Sequence, residues 1–176
     1  MKSSGIWVDI EKCLACKTCE IECALAHCEV SEIREAVRLG LRPAHRVNVV
    51  AVGGESAVPI QCRHCEDAPC VLVCPSGALS KAGPDQPVLL DYEKCIGCKS
   101  CVIVCPFGAI TVGPDGRTVV KCDLCLSRLK QGQQPACVSG CPTKALHFGE
   151  IDEYAREARK RAARQLLEAM LAEGEA

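Results

Sequence analysis

Short apolar runs, separated by turns rich in glycine and proline, fill much of the chain between residues 46 and 121. Runs of this length are typical of strands and are too short for most helices. Paired across their turns, they predict three β-hairpins: 46–52 with 57–60 around Gly53 and Gly54, 79–81 with 88–91, and 109–112 with 118–121. A short helix is predicted over 31–39, with Ser31 as its N-cap.

The pattern changes after about Ile151, where alanine, leucine and methionine recur at helical spacing among basic residues. This predicts a C-terminal helix that is capped by Asp152 and runs to about Glu173. Two interpretations of the helix stay open. In one, it packs on its own domain or is simply solvated. In the other, it docks a partner or joins copies of the chain, because its alanines let another backbone come close.

Only 3% of the 176 residues are aromatic, so large rings cannot supply the core. We expect metal centres and their ligands to fill it. The net charge of −1 gives no reason to expect nucleic acid or an anionic membrane as a partner. No apolar run approaches the roughly 20 residues of a membrane span, and residues 1–10 have no signal-peptide core. Cysteines at this density then predict metal ligands in a reducing, cytoplasmic location.

Cysteine is the residue type that changes this picture most. Of 17 cysteines, 16 fall into four groups of four with metal-ligand spacing, and only Cys28 is left over. The groups are Cys13, Cys16, Cys19, Cys23; Cys62, Cys65, Cys70, Cys74; Cys95, Cys98, Cys101, Cys105; and Cys122, Cys125, Cys137, Cys141. Proline follows the last cysteine of three groups, whereas Ala24 follows Cys23. We expect this difference to change the local turn and not the ligation.

The first and third groups belong to an internal repeat. Residues 9–19 and 91–101 match almost position by position, since both read Asp-x-Glu-Lys-Cys-x₂-Cys-Lys-x-Cys. A second, weaker match joins residues 62–65 to residues 122–125. Duplication of one ferredoxin-like unit explains both matches.

The spacing Cys-x₂-Cys-x₂-Cys-x₃-Cys wraps a loop around a [4Fe-4S] cluster, so that three thiolates bind one cluster and the fourth binds its neighbour. The second and fourth groups are stretched before their third cysteine. Two regular and two stretched groups predict an α+β fold. It would consist of two bacterial-ferredoxin-like lobes, made of short hairpins and helices around four [4Fe-4S] clusters, and the C-terminal helix.

Zinc also binds cysteine pairs with this spacing, so a zinc-binding interaction module is the alternative class of protein. Zinc modules, however, do not require repeated three-cysteine runs that end in Cys-Pro. A three-iron cluster at one site is a further alternative, which the full set of sixteen ligands argues against. No glycine-rich nucleotide loop, Ser/His/Asp set or open metal site is recognisable, so we do not expect the chain to be an enzyme by itself.

These motifs resemble the four-cluster electron-transfer subunits of the dimethyl-sulfoxide-reductase beta-subunit type. The resemblance covers about residues 6–149, and the closest local likeness, in 61–70, 105–110 and 121–125, is to the iron–sulfur protein that serves carbon monoxide dehydrogenase. It implies a non-catalytic subunit that passes single electrons between a catalytic oxidoreductase, first of all carbon monoxide dehydrogenase, and a second redox partner. The alternative is the iron–sulfur subunit of a formate dehydrogenase or a tungsten aldehyde oxidoreductase, with self-association into a filament through residues 151–173.

The resemblance also implies how the four groups share their clusters. One cluster each would be bound by Cys13, Cys16, Cys19 and Cys141; by Cys122, Cys125, Cys137 and Cys23; by Cys62, Cys65, Cys70 and Cys105; and by Cys95, Cys98, Cys101 and Cys74. In this nested order one domain over 1–150 has an outer lobe, from about 1–45 and 121–150, and an inner lobe, from about 55–120. Residues 151–176 form the helical extension.

A few residues outside the ligand sets lie close to them in the sequence. Cys28 is expected to be a free, partly buried thiol. For His27 and His64 we weigh a hydrogen bond to sulfur against ordinary packing. Four lysines flank the two regular runs, where they either offset the charge of a reduced cluster or are simply solvated. They are Lys12, Lys17, Lys94 and Lys99.

Overall fold

The computed structural model of the chain describes residues 4–53 and 57–174, with side chains as far as Leu171. Short strands and helices alternate in it, as expected of an α+β fold. The strands are β1 (Ser4–Val8), β2 (Val47–Ala51), β3 (Ala57–Gln61), β4 (Leu79–Lys81), β5 (Val88–Leu90), β6 (Ile110–Val112), β7 (Val119–Lys121) and β8 (Leu146–Glu150). The helices are α1 (Thr18–Leu25), α2 (Ile33–Arg38), α3 (Pro69–Leu72), α4 (Ser100–Val104), α5 (Leu126–Lys130), α6 (Ala136–Ser139) and α7 (Ile151–Gly174), with a 3₁₀ turn at Ile10–Lys12.

Within the described ranges, the strands pair two by two into four antiparallel ribbons. Three of them, β2–β3, β4–β5 and β6–β7, are the predicted hairpins, which the structure confirms. Gly54, in the first predicted turn, lies outside the described residues. The fourth ribbon pairs β1 with β8, so that Ser4 lies opposite Glu150 and Val8 opposite Leu146. This ribbon, which the sequence did not lead us to predict, joins the two ends of the cysteine-containing region.

Two predicted helix caps are wrong, although both helices are present. Helix α2 begins at Ile33, so its N-cap is Glu32 and not Ser31, and the Glu32 side chain makes no capping hydrogen bond. Helix α7 begins at Ile151, directly after β8, so Asp152 lies inside the first turn. Its negative charge is still favourable there, close to the positive end of the helix dipole.

Two separate buried cores lie beneath these ribbons. The outer core consists of Ile6, Cys19, Cys23, Val47, Leu124, Cys137 and Leu146. The inner core consists of Ala68, Cys70, Leu79, Val88, Cys101, Ile110 and Val119. No aromatic side chain is buried among the described residues, so aliphatic and cysteine side chains form both cores. The outer core draws residues from both ends of the chain, as nested lobes would require; the lobe boundaries themselves stay a prediction.

Two buried polar residues connect the ribbons at equivalent places. Gln61 and Lys121 end β3 and β7, directly before the second and fourth cysteine groups, and they are 1% and 2% exposed. The Gln61 side-chain amide donates to the carbonyl of Ile6 at 3.3 Å. The Lys121 ammonium donates to the carbonyls of Val88 at 2.5 Å and Cys122 at 2.9 Å. Each hairpin end is thereby fixed in the interior, which positions the cysteine loop that follows it.

Helix α7 contacts the body of the protein mainly through its first turns. Tyr154 packs against Trp7, with 5.1 Å between the ring centroids. From residue 159 to residue 171 every side chain is exposed. The helix therefore projects from the ferredoxin-like region instead of covering it. None of the described helices is both long and apolar enough to cross a membrane.

A substitution at Gly97 tests how closely the β6–β7 ribbon packs on the third cysteine group. Its φ is +71°, and a Cβ at this position would overlap the backbone carbonyl of Arg117, in the turn before β7. We expect Gly97→Ala to destabilise the protein by about 3 kcal/mol, because left-handed strain adds to a clash that no side-chain movement can relieve. Thermal unfolding, followed by circular dichroism under anaerobic conditions, measures the effect.

Gly108→Ala is the matched control. Gly108 also has a left-handed φ, of +57°, but nothing lies within 4 Å of its Cβ position. The substitution should cost about 1 kcal/mol from backbone conformation alone. Ala15, at the position of Gly97 in the repeat, is itself left-handed with a φ of 55°. Equal losses in the two variants would mean that the approach of Arg117 does not restrict this position.

Candidate metal centres

The first Cys-x₂-Cys loop of each of the four groups has the same backbone conformation. The second residue between the paired cysteines is left-handed in each loop: Ala15 (φ 55°), His64 (φ 49°), Gly97 (φ 71°) and Leu124 (φ 59°). This conformation costs a residue with a Cβ about 1–2 kcal/mol, so three of the four residues hold it against their own preference. In three of the loops, both cysteines then line one cavity.

Three cavities are each lined by four cysteines, three from one group and one from another. The first site is lined by Cys13, Cys16, Cys19 and Cys141. The second site is lined by Cys62, Cys65, Cys70 and Cys105. The third site is lined by Cys74, Cys95, Cys98 and Cys101. These are three of the sets that the family resemblance implies; their role as ligands stays a prediction.

The four remaining predicted ligands are one cysteine of the first group and three cysteines of the last group. We call their surroundings the fourth site. Cys23, Cys122, Cys125 and Cys137 are all buried. Burial raises the pKa of the Cys122 thiol to about 12. Burial also raises the pKa of Cys137 far above its usual value, and the nearby Cys122, Cys23 and Cys125 raise it further. Cys23 and Cys137 belong to the same buried cluster, so the fold brings cysteines of the first and last groups together here as well; their role as ligands stays a prediction.

Backbone N–H groups surround the predicted ligand sulfurs. Four of them donate to sulfur: His64 to Cys62 at 3.4 Å, Leu124 to Cys122 at 3.4 Å, Arg46 to Cys23 at 3.3 Å and Ala145 to Cys141 at 3.2 Å. Such donors stabilise negative charge on sulfur. Burial acts in the opposite direction, since it raises the pKa of Cys19 to about 11. At the most buried cysteines, the thiolate that a metal needs is therefore unfavourable until a cation offsets its charge.

The donor sets fit [4Fe-4S] clusters better than zinc. Zinc modules pair cysteines two by two. Here each cavity is lined by three cysteines of one group and the last cysteine of another, which is the sharing expected of paired cubanes. Four cysteines complete the ligation of one cubane, so these sites would offer no open position to a substrate.

Helix α1 runs through Cys23, whereas the last cysteine of each other group follows its helix. Ala24 in place of proline allows this, because proline would remove a backbone N–H and clash with the preceding turn. The carbonyl of Cys23 consequently accepts a hydrogen bond from Nδ1 of His27 at 2.7 Å. The sequence-based expectation of an altered turn is met, while ligation by Cys23 stays a prediction.

An ion-pair network lies beside the fourth site. Asp123, between Cys122 and Cys125, contacts Arg46 at 2.7 Å and Nε2 of His27 at 3.1 Å. Burial alone would raise the pKa of Asp123, but the hydrogen bond from His27 and the charge of Arg46 hold it well below its usual value. Burial lowers the pKa of His27, yet its hydrogen bonds, first of all to Asp123, raise it to about 12. His27 is therefore a charged member of the network.

Of the three members of this network, sequence reasoning placed His27 near the ligands and missed Arg46 and Asp123. Arg46 also donates from its side chain to the Tyr92 hydroxyl at 3.3 Å. No local pattern marks Arg46, because its partners are far away in the sequence. For Asp123, the available signal was a carboxylate inside a Cys-x₂-Cys pair.

Two other residues singled out in the sequence have simpler surroundings. Nδ1 of His64 accepts the N–H of Val88 at 3.1 Å. Burial lowers the pKa of His64 to about 3, so its ring is neutral, and its Nε2 has no partner among the described residues. Cys28 is half-buried and lines none of the three cysteine cavities.

The four lysines near the regular runs divide into two kinds. Lys12 and Lys94 form ion pairs of 2.7 and 2.9 Å with the aspartates three residues before them. Lys17 and Lys99 precede α1 and α4 with left-handed φ values of 60° and 64°. They line the first and third cavities. Their charges are not offset by an ion pair in the described ranges.

Comparison with known proteins supports a common origin of these sites. A family model described as "4Fe-4S dicluster domain" matches residues 55–151. An iron-sulfur protein of Rhodospirillum rubrum is 43% identical over 173 residues, covering 89% of this chain and 88% of that protein. The thiosulfate reductase electron transfer subunit PhsB of Salmonella typhi is 40% identical over 146 residues, covering 82% and 74%.

Two further similarities belong to reductases. The B subunit of the anaerobic dimethyl sulfoxide reductase of Escherichia coli is 36% identical over 161 residues, covering 87% of this chain and 76% of that protein. A solved structure, the active site complex BamBC of benzoyl coenzyme A reductase, contains a polypeptide that is 23% identical with a TM-score of 0.47, covering 85% of this chain and 78% of that one.

The ion-pair network generates a test of its own. Arg46→Met removes one member of a pair in which the arginine side chain is 12% and the aspartate 34% exposed. Asp123 would keep a partly buried charge without its shorter ion pair, so we expect a loss of about 2–3 kcal/mol in the free energy of unfolding. Thermal unfolding and the rate of iron release to a chelator, both under anaerobic conditions, measure this loss.

Arg38→Met is the control for the same change of side chain. Arg38 forms an ion pair with Glu35 at 3.7 Å, and both side chains are exposed. Pairs of this kind contribute little to stability, so this variant should unfold and release iron like the wild type. If the two variants behave alike, the network beside the fourth site has no structural role.

Proposed function

The chain belongs to the 4Fe-4S dicluster family and is an iron–sulfur subunit of the dimethyl-sulfoxide-reductase beta type, and we propose that it passes single electrons through four clusters between a catalytic oxidoreductase and a second redox partner. That the chain carries several [4Fe-4S] clusters follows from the family and its cysteines. The number of clusters, the ligands of each cluster and the identity of the partner go beyond what the family establishes, and they are our proposal.

The observation that carries the proposal is the repeated four-cysteine cavity. A [4Fe-4S] cluster accepts and releases one electron at a potential set by its surroundings. We assign one cluster to each of the four sites, with the four cysteines of each site as its ligands. The protein contributes thiolates, N–H donors and burial, which adjust the potential. Because four cysteines leave no ligand position open, we propose that the chain is not an enzyme by itself.

Electron exchange with partners is proposed at the first and third sites. Among the described cysteines, only Cys16 and Cys98 are exposed, and they occupy equivalent places in the repeat. Each is flanked by an exposed aliphatic residue and a lysine: Leu14 and Lys17, or Ile96 and Lys99. These surfaces combine apolar contact with a positive charge and suit a partner with an acidic rim. The buried fourth site would exchange electrons only inside the protein.

Carbon monoxide dehydrogenase is the catalytic partner that we propose first. The support is the local likeness of residues 61–70, 105–110 and 121–125 to the iron–sulfur protein that serves that enzyme. A formate dehydrogenase or a tungsten aldehyde oxidoreductase is the alternative. We place the protein in the cytoplasm, because cysteines at this density must stay reduced until they bind metal.

The exposed part of α7 is proposed to dock this partner or a second copy of the chain. Its apolar side chains Leu166, Leu167, Met170 and Leu171 are 58–70% exposed. At helical spacing they form one continuous face. A continuous exposed apolar face marks an interaction surface more often than a solvated one.

Cys98→Ala tests the number of clusters and the third site together. We expect the wild-type protein, isolated anaerobically, to contain about 16 iron atoms and about 16 acid-labile sulfides per chain. The variant should contain about 12 of each, because the third site loses a ligand while the other sites keep theirs. Iron and sulfide analysis, with electron paramagnetic resonance (EPR) of the reduced protein, measures both values.

Cys28→Ala is the matched control, and it should keep the full iron content because Cys28 lines no cysteine cavity. A full iron content in Cys98→Ala would remove Cys98 from the ligand set. Zinc without acid-labile sulfide in the anaerobic wild-type protein would support a zinc-binding interaction module and contradict electron transfer.

Truncation after Ala158 tests the role of α7. It keeps the contact between Tyr154 and Trp7 and removes only residues from 159 onward, whose described side chains are exposed. We expect the catalytic partner to co-purify with the full chain under anaerobic conditions and to be lost from the truncated chain, at unchanged iron content. Mass spectrometry identifies the partner, and size-exclusion chromatography measures self-association.

Two outcomes would contradict parts of this proposal. If the partner and any large assemblies persist with the truncated chain, α7 is not the docking surface. If the full chain is isolated alone and monomeric, a diffusible polyferredoxin that serves several enzymes describes it better than a dedicated subunit.

A further inference from the structure

Helices α1 and α4 occupy equivalent places in the repeat but differ in charge. Each begins directly after a left-handed lysine and carries the third cysteine of its group. Between the third and fourth cysteines, α1 has Glu20, Ile21 and Glu22, whereas the equivalent residues of the other repeat are Val102, Ile103 and Val104. The helix that carries Cys19 of the first site therefore has two carboxylates where the helix that carries Cys101 of the third site has two valines.

The Glu20 carboxylate is held by a residue that lines the first cavity. Its Oε1 accepts the backbone N–H of Val49 at 2.6 Å, and Val49 lines the first cavity together with its four cysteines. Glu20 is half-buried, so solvent and salt screen its charge less than that of an exposed carboxylate. The ion pairs found among the described residues involve other carboxylates.

The other charges near the two sites are matched. Lys17 and Lys99 line the first and third cavities alike, and the aspartate–lysine pairs before them are equivalent. Lys144, beside the first site in sequence, lines a different surface together with Glu157 of α7.

We propose that Glu20 makes the first site harder to reduce than the third site, so that a single electron added to the chain occupies the third site first. Reduction adds a negative charge, which a fixed carboxylate nearby disfavours. The inference rests on the proposed ligand sets. It gives the two similar ends of the protein different roles: a one-electron donor bound at the first site loses an electron, and an acceptor bound at the third site gains it.

Glu20→Gln is the decisive substitution, because glutamine keeps an oxygen that can accept the Val49 N–H and removes only the charge. A redox titration with dithionite, followed by EPR under anaerobic conditions, should show one reduction step moved to a more positive potential. Val102→Glu places a carboxylate at the equivalent position of the third group and should move a different step to a more negative potential. Cys16→Ala and Cys98→Ala identify the two steps, since each removes its own.

Two controls separate charge from structure. Glu20→Asp keeps the charge and should titrate much more like the wild type than Glu20→Gln does. Glu168→Gln removes a carboxylate from the exposed part of α7, far along the helix from the cysteine cavities, and should move no step. Iron and sulfide contents are measured for every variant, so that a lost cluster is not mistaken for a shifted potential.

The outcomes separate this inference from the proposed function. Unchanged reduction steps in Glu20→Gln at full iron content would overturn the inference and leave the four-cluster carrier intact. A wild-type protein without four clusters would overturn the proposed function itself. Val102 packs on the inner core; if Val102→Glu loses iron for that reason, Glu20→Gln alone decides.

Discussion

The fold depends on burying ionisable sulfur in places where most proteins bury large hydrophobic side chains. Cysteines belong to both buried cores, and burial raises the pKa of several of them, to about 11 for Cys19 and about 12 for Cys122. Metal ligation needs the opposite state, the thiolate. The core and the metal sites are therefore the same part of the molecule, and the energy of metal binding is also the energy that keeps the core together.

This dependence explains why the chain tolerates local strain around the sites. Three loops hold a non-glycine residue in the left-handed conformation, at about 1–2 kcal/mol each. A structural zinc site in a small domain contributes about 10–16 kcal/mol on binding. If a cluster contributes on a similar scale, one site outweighs the strain of every loop. The same excess lets the protein manage with an aromatic fraction of 3%.

The sequence predicted those features that are set locally. Cysteine spacing and glycine- or proline-rich turns lie within a few residues of what they determine, so the four groups and the three hairpins could be recognised. The β1–β8 ribbon could not, because its strands come from opposite ends of the chain. The contacts of Arg46 with Asp123 and Tyr92 also join residues that are far apart in the sequence. The predicted N-cap of α7 was wrong because the helix begins directly after strand β8. Which cysteines share a site followed only from the family resemblance.

Duplication makes the four sites alike, so the function must lie in the positions where the copies differ. A [4Fe-4S] cluster has the same composition at every site, and the protein can distinguish sites only through charge, hydrogen bonds and burial. The copies differ in such positions next to the ligands: Ala15 and Gly97, Gln61 and Lys121, Arg63 and Asp123, Glu20 and Val102.

These differences do not change the net charge beside the sites equally. Asp123 is neutralised by Arg46 and His27 within 3.1 Å, so the charge that it brings to the fourth site is largely cancelled. Glu20 is held by a backbone N–H and forms no ion pair within the described part of the chain, and we propose that its charge acts on the first site. The uncompensated asymmetry therefore lies at one of the two ends that expose a cysteine to a partner. A carrier with a preferred direction needs it there, because a charge at an end changes the order in which the ends are reduced.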